Sequence, residues 1–308
     1  MNARWVRWLG NLLGGFVILL IVAVGVVYAL SEHRAKKHYD ITPKPIAIST
    51  DSATLARGEH IVRAIGKCVE CHGETLEGQV MIDDAALGHV TAPNLTRGTG
   101  GVGRILTDAD YVRAIRHAVS PDGRPLIIMP AEDFIELTDA DLGAVISYVK
   151  SVRPVDNALP ASEIGPLGRA LLVAGKLPIF PAERIDHARG SVTPVAIGVT
   201  PEYGRYLARV GCTGCHGETL AGGPVVGGDP SWPPAANLTR AGATKDWTLT
   251  DFTRLLRTGK RPDGSMVNGA MPWRTAGRMT DDEISAVWLY LRTISGAPSS
   301  ASKQTASR

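Results

Sequence analysis

The sequence predicts an all-α protein, with two tandem helical units (residues 52–153 and 198–296) behind one N-terminal membrane-spanning helix. Three observations predict this arrangement. A C-x-x-C-H run occurs twice, as Cys68-Val-Glu-Cys71-His72 and Cys212-Thr-Gly-Cys215-His216. Each run is preceded by apolar residues at helical spacing and followed late in its unit by a second such pattern. Near the N-terminus, the 22 positions from Leu9 to Leu30 carry no charged side chain.

The apolar run is long enough to span the hydrocarbon core, at roughly 33 Å of helix. A cleaved signal peptide has a shorter apolar region, so residues 1–31 are expected to stay as an anchor, although Ala29-Leu30-Ser31 resembles a cleavage site. Residues 32–51 include Thr42-Pro43-Lys44-Pro45 and read as an extended spacer that holds the first unit away from the membrane.

In the first unit Leu55, Ile61, Val62 and Ile65 give a helix leading into Cys68. A short helix follows around Tyr111 to His117. Leu137-Thr138-Asp139 starts the closing helix, with Leu142, Val145, Ile146 and Val149 on its apolar face. Residues 154–197 form a proline-rich linker in which Leu167 to Leu177 has helical character, and the linker is expected to bury itself against the units, with an exposed apolar patch for a partner or the bilayer surface as the alternative. The second unit repeats the order. Tyr203, Tyr206, Leu207 and Val210 lead to Cys212, Asn237-Leu-Thr239 answers Asn94-Leu-Thr96, and Pro262-Asp-Gly264 answers Pro121-Asp-Gly123. Counting back from the cysteines, Gly204 falls at the place of His60. The repeat offset is 144 at the cysteines and 142 at the Met-Pro pairs, which is the mark of a duplicated unit. The Ser- and Ala-rich tail, 297–308, reads as disordered.

The C-x-x-C-H run is the attachment signature of c-type haem: two thiols spaced for thioethers and an adjacent imidazole for the iron. Two covalently bound haem c groups are therefore expected, on Cys68, Cys71 and His72 and on Cys212, Cys215 and His216. A four-cysteine zinc site would draw its C-x-x-C pairs from much closer in sequence. A disulfide would leave the adjacent histidines and the repeated Gly-Glu-Thr-Leu flanks unexplained. Of the six methionines, Met129 and Met271 each precede proline at matching places, and these two are expected to supply the opposite axial ligands. His60, His89 and His117 have no counterpart in the repeat and read as surface or hydrogen-bonded residues. The two N-x-T sequons recur at one place in both units and read as a structural loop beside the haem.

Each unit resembles a class I cytochrome c domain, and the chain is similar to the membrane-associated cytochrome c subunits of periplasmic alcohol and gluconate-type dehydrogenases, sharing C-H-G-E-T-L, N-L-T and P-D-G. Many such subunits carry three haem motifs, whereas this chain has two. The resemblance implies a non-catalytic electron carrier at the bacterial inner membrane with its haem units in the periplasm. Its expected partners are a dehydrogenase or other redox protein, with quinone or a terminal oxidase as further candidates. A dihaem peroxidase is the alternative, though it needs one haem to open and so fits matching methionines less well. The net charge of +3 is spread along the chain and gives no case for nucleic-acid binding.

Overall fold

The computed structural model describes residues 3–296, and the tail expected to be disordered lies outside them. Helix α1 (Ala3–Ala35) covers the apolar run. Its side chains through Leu30 are almost all solvent-exposed, and the helix is long and apolar enough to cross a membrane.

The first unit contains α2 (Ser52–His60), α3 (Val69–His72), α4 (Asp108–His117), α5 (Ala131–Phe134) and α6 (Asp139–Ser151). Helix α7 (Pro166–Val173) lies in the linker. The second unit contains α8 (Pro201–Gly211), α9 (Thr213–His216), α10 (Leu249–Thr258), α11 (Trp273–Ala276) and α12 (Asp281–Thr293). Side-chain caps fix the starts of α2, α4, α6, α8, α10 and α12, whose first N–H groups have no partner within the helix. Thr107, Thr248 and Thr280 each close a capping box with the acidic residue three positions on.

The architecture is not purely helical. Strands β1 (Gln79–Asp84), β2 (Gly88–Ala92) and β3 (Glu163–Ile164) form a small antiparallel sheet in the order β1-β2-β3. Branched residues Val80, Ile82, Val90 and Thr91 favour the pleat. The Asp84 carboxylate closes the turn by accepting from the amides of Ala86 and Leu87 at 2.8 and 2.7 Å. The matching stretch of the second unit makes one isolated bridge, Gly223 to Ala235. Pro224, Pro230, Pro233 and Pro234 there have no N–H to give a ladder.

Helices α2 and α6 cross at Gly58, and α8 and α12 cross at Gly204. A Cβ on Gly58 would collide with the carbonyl of Ala144, and one on Gly204 with that of Ala286. The equivalent of Gly204 is therefore Gly58, two residues earlier than counting back from the cysteines suggests. The first unit takes up the two extra residues in a π-helical turn, Ile61–Ile65, whose Gly66 amide bonds to the Ile61 carbonyl at 2.7 Å, and in the turn through Gly66 and Lys67 (φ +53°) before Cys68.

One continuous apolar core runs through both units, from Ile61, Val62 and Leu142 to Leu207, Ile284 and Leu291. Residues 32–51 do not stand off as a free spacer. The Tyr39 amide bonds to Gly123 O at 2.9 Å, Arg113 Nε donates to Ile41 O at 3.1 Å, and Ser147 Oγ donates to Ser49 O, so this strand-like strap lies along the first unit. The linker buries Leu172, Ile179, Phe180 and Ala182, in line with the expectation of a packed linker.

Candidate functional site

Each C-x-x-C-H run starts where its leading helix ends and coils into a four-residue helix, α3 or α9. Glycine ends that helix: Gly73 has φ +81° and Gly217 has φ +76°. The leucines of the repeated Gly-Glu-Thr-Leu flank, Leu76 and Leu220, also have positive φ (61° and 56°) and are 1% exposed. Their carbonyls accept from Leu95 and Leu238 at 2.9 and 2.8 Å, which docks the N-x-T loop onto the C-x-x-C-H loop. The recurrence of these flanks thus has a structural reason, a strained turn that buries its leucine.

The N-x-T loops then orient the histidines. His72 Nδ1 donates to Pro93 O at 2.9 Å and His216 Nδ1 to Ala236 O at 2.7 Å. Burial lowers the pKa of both rings, so they are neutral, and with Nδ1 holding the proton Nε2 keeps its lone pair for a metal. Asn94 is 1% exposed and donates to Val155 O at 2.8 Å, while Thr239 donates to Asn237 Oδ1 at 2.7 Å. Both sequons serve the loop.

The four thiols are unpaired. Burial pushes Cys68 up to about 12 and raises Cys71, Cys212 and Cys215, the reverse of the lowered pKa a reactive thiol-redox pair needs. Among the described residues no three His, Cys, Asp or Glu side chains converge as a metal cluster, so the two C-x-x-C pairs do not join as a zinc site. An apolar cleft in the first unit is lined by Cys68 and Met129, with Ile61, Ile115, Phe134, Leu137 and Val145 around them. Met271 packs against the same core as Cys212. Of the other methionines, Met81 and Met266 are exposed and Met279 is core. The backbone before Met129 is unusual, since Ile128 has φ +62°, a rare state for a branched residue, held by its amide bond to Ile179 O of the linker at 2.8 Å. The donor set fits a haem in both units: paired thiols, a neutral imidazole with a free nitrogen, and a thioether on the apolar wall.

Sequence reasoning missed how the two loops meet. Lys67, next to Cys68, reaches across and donates to Gly211 O, next to Cys212, and to its own Ile65 O at 3.2 Å. On either side the contacts follow an approximate two-fold. His60 donates to Glu283 Oε2 at 2.6 Å, and its counterpart Tyr206 donates to Asp141 Oδ2 at 2.5 Å. Arg57 sits between, bonded to Asp141 at 2.8 and 2.9 Å and to Tyr203 at 3.2 Å. Further out, Glu70 meets Thr275, and Thr213 donates to Asp133 at 3.1 Å. The available signal was a polar face repeated at three-residue spacing, Arg57-His60-Arg63 and Tyr203-Tyr206-Arg209. His60, His89 and His117 are all hydrogen-bonded, to Glu283, Asp83 and His187.

Burial raises the Asp133 carboxyl from 3.8 to about 6, with Lys67 pulling the other way. A carboxyl raised in the folded state loses its proton first in the unfolded chain, so stability falls as pH rises from about 4 to about 6. Asp133→Asn should flatten that part of a stability–pH profile, on the order of 1–2 kcal/mol after allowance for its partial exposure. Denaturant midpoints taken at several pH values will show it, and an unchanged slope would refute the assignment.

The comparisons with known proteins bear on the same loops. The chain is 30% identical over 293 residues to the cytochrome c subunit of alcohol dehydrogenase (quinone) of Gluconacetobacter polyoxogenes, covering 83% of this chain and 59% of the relative. It is 28% identical to the gluconate 2-dehydrogenase cytochrome c subunit of Pantoea cypripedii, covering 79% of this chain and 60% of that one. With one of the subunits of the nicotinate dehydrogenase of Pseudomonas putida it shares 27% identity over 96% of its length and 25% of the relative's. The chain thus spans three-fifths or less of these relatives. The likeness to the alcohol and gluconate dehydrogenases is to their cytochrome c subunits, not to a catalytic subunit. The cytochrome c family model matches residues 55–153 and again 201–295, each match containing one C-x-x-C-H run and one Met-Pro pair. With most of its length covered by those two matches, the chain belongs to the cytochrome c family, and membership implies covalently bound haem c.

Proposed function

We propose that the protein holds two haem c groups and relays single electrons from a periplasmic dehydrogenase, or from quinol, to a downstream acceptor such as a terminal oxidase, anchored at the inner membrane by α1. The observation that carries this reading is the repetition of one donor set in both units: a buried histidine tied through Nδ1 to a backbone carbonyl, and a methionine set in the apolar surround. Bound haem supplies an iron that takes up and gives back one electron. Cys68 and Cys71 would hold the first group and Cys212 and Cys215 the second, with His72 and His216 as axial ligands. Met129 and Met271 would close the opposite faces, exclude exogenous ligands and raise the potential as thioethers do. With a histidine and a methionine in each unit to hold it, neither iron would be left with a position for substrate, which suits a carrier. The dehydrogenase as donor is suggested by the relatives named as cytochrome c subunits of alcohol and gluconate dehydrogenases.

Met129→Ala and Met271→Ala should each keep their covalent haem, admit carbon monoxide at one reduced haem and lower that haem's potential. Spectropotentiometry with carbon monoxide titration tests this. A wild type that already binds carbon monoxide fast at one haem and consumes peroxide would overturn the carrier reading in favour of an enzyme.

A further inference from the structure

Helix α7 and the tip of the β1–β2 hairpin form a small apolar platform beside the end of α1. Arg169 of α7 stacks on the Tyr28 ring at 4.9 Å and donates to Ser31 Oγ and Glu32 Oε2 at 2.9 Å each. One turn further along α7, the Leu172 carbonyl accepts from Arg34 at 2.6 Å, and Ala35 packs against the cluster of Leu172, Ile179 and Phe180. Moving from Arg169 to Leu172 thus moves from Tyr28 toward Ala35, so the start of α7 points back toward the apolar run. The hairpin tip caps that start: Ala86 O accepts from Leu167 at 2.9 Å and Leu87 O from Gly165 at 2.9 Å. Ala85, Ala86 and Leu87 on the tip, and Pro166, Leu167 and Ala170 on the helix, all reach solvent, with Leu87 at 37% and Leu167 at 47%.

We propose that this platform rests in the lipid boundary around α1, so that the first unit is seated on the bilayer by three elements and not tethered by one. The proposal rests on reading α1 as a membrane anchor. The occupant follows from position, because the patch continues the exposed apolar surface of α1 at the level where its uncharged run ends. The hairpin is absent from the second unit, where the same stretch is proline-rich and makes one bridge. Binding haem in both units does not call for this difference, and seating one of the two on a membrane would account for it. Of the neighbouring acids, Asp84 is turned to the tip amides, and Asp83, though 82% exposed, lies beside His89 at 3.1 Å, which places it at a headgroup level and not deeper.

The test places one nitroxide label at a time in the full-length, haem-loaded protein at Leu87→Cys or Leu167→Cys, reconstituted in phosphatidylcholine–phosphatidylglycerol vesicles and kept reduced. Leu20→Cys reports the anchor and Val226→Cys, exposed in the second unit, reports water. Power-saturation EPR should give oxygen-over-nickel-chelate accessibility at positions 87 and 167 severalfold above position 226 and approaching position 20. Values at 87 and 167 equal to that at 226, with 20 still lipid-like, would overturn the platform and leave the anchor standing. All four at the water value would overturn the anchor and the platform with it. The two labels sit on separate elements, so a local disturbance at one leaves the other as a reading.

Discussion

Replacing Glu283 with alanine should destabilise the protein by about 3–5 kcal/mol, the usual cost of removing one partner from a buried charge cluster. Glu283 is 5% exposed and does two things at once. It closes the capping box of α12, where its carboxylate accepts from the Thr280 amide at 3.0 Å, and it receives His60 at 2.6 Å and Arg57 at 3.4 Å from the other unit. Burial alone would raise its pKa, but His60, the Thr280 amide and Arg57 bring it below the ordinary value. Its share of stability is therefore present above the unfolded-state pKa and lost as pH falls through the lower folded value. Glu283→Gln separates the two roles, since glutamine also serves in a capping box and keeps the cap. It should recover roughly 1 kcal/mol of the alanine loss while losing the acid-sensitive part. Chemical denaturation of both variants between acid and neutral pH is the measurement. Equal losses for Gln and Ala would mean the cap is idle, and a loss under about 1 kcal/mol for Ala would mean the cluster is too wet to matter.

Gly204→Val should destabilise the second unit at the crossing of α8 and α12. A Cβ at this position runs into the Ala286 carbonyl of α12 at a crossing where neither helix can move without opening the core around Leu207 and Ile284, both 1% exposed or less. Overpacking of this kind costs roughly 1–3 kcal/mol and more when the obstacle is backbone, and branching at Cβ adds to it. Gly204→Ala should lie between wild type and Val. Thermal melts followed by circular dichroism should rank the three in that order, whereas a melt unchanged by valine would show that the helices cross more loosely. Gly58→Ala against the Ala144 carbonyl should behave in parallel, because it is the same crossing in the other copy.

Gly204 also shows where the sequence could and could not be read. The helices, the duplication and the C-x-x-C-H loops were visible because apolar periodicity and C-x-x-C-H are local patterns. The exact pairing of positions upstream of the cysteines was not visible, because a π-turn adds residues without leaving a compositional mark. The sheet was missed for a similar reason: its strands are short, one lies in the linker, and the hairpin turn rests on the single side chain of Asp84. The seam was hidden because Arg57, His60, Tyr206 and Glu283 look like an ordinary solvated helix face until the second copy is laid against them. Lys67 carries no signal at all in one dimension, and its role appears only when Gly211 stands opposite.

The strap along the first unit gives the duplicated loops unequal freedom. Around the Pro-Asp-Gly turn of the first copy, Tyr39 bonds to Gly123, a Cβ on Gly123 would enter the His38 ring, and the Ile179 carbonyl of the linker holds the segment that leads to Met129. In the second copy a Cβ on Gly264 or Gly269 would meet nothing within 4 Å, and the turn closes on itself through the Arg261 amide to Ser265 O at 2.8 Å and the Val267 amide to Gly259 O at 2.9 Å. Local opening draws on whatever contacts a segment would have to break. Two loops built to one plan are therefore expected to open unequally, the first more rarely because a neighbouring strand of chain has to let go as well.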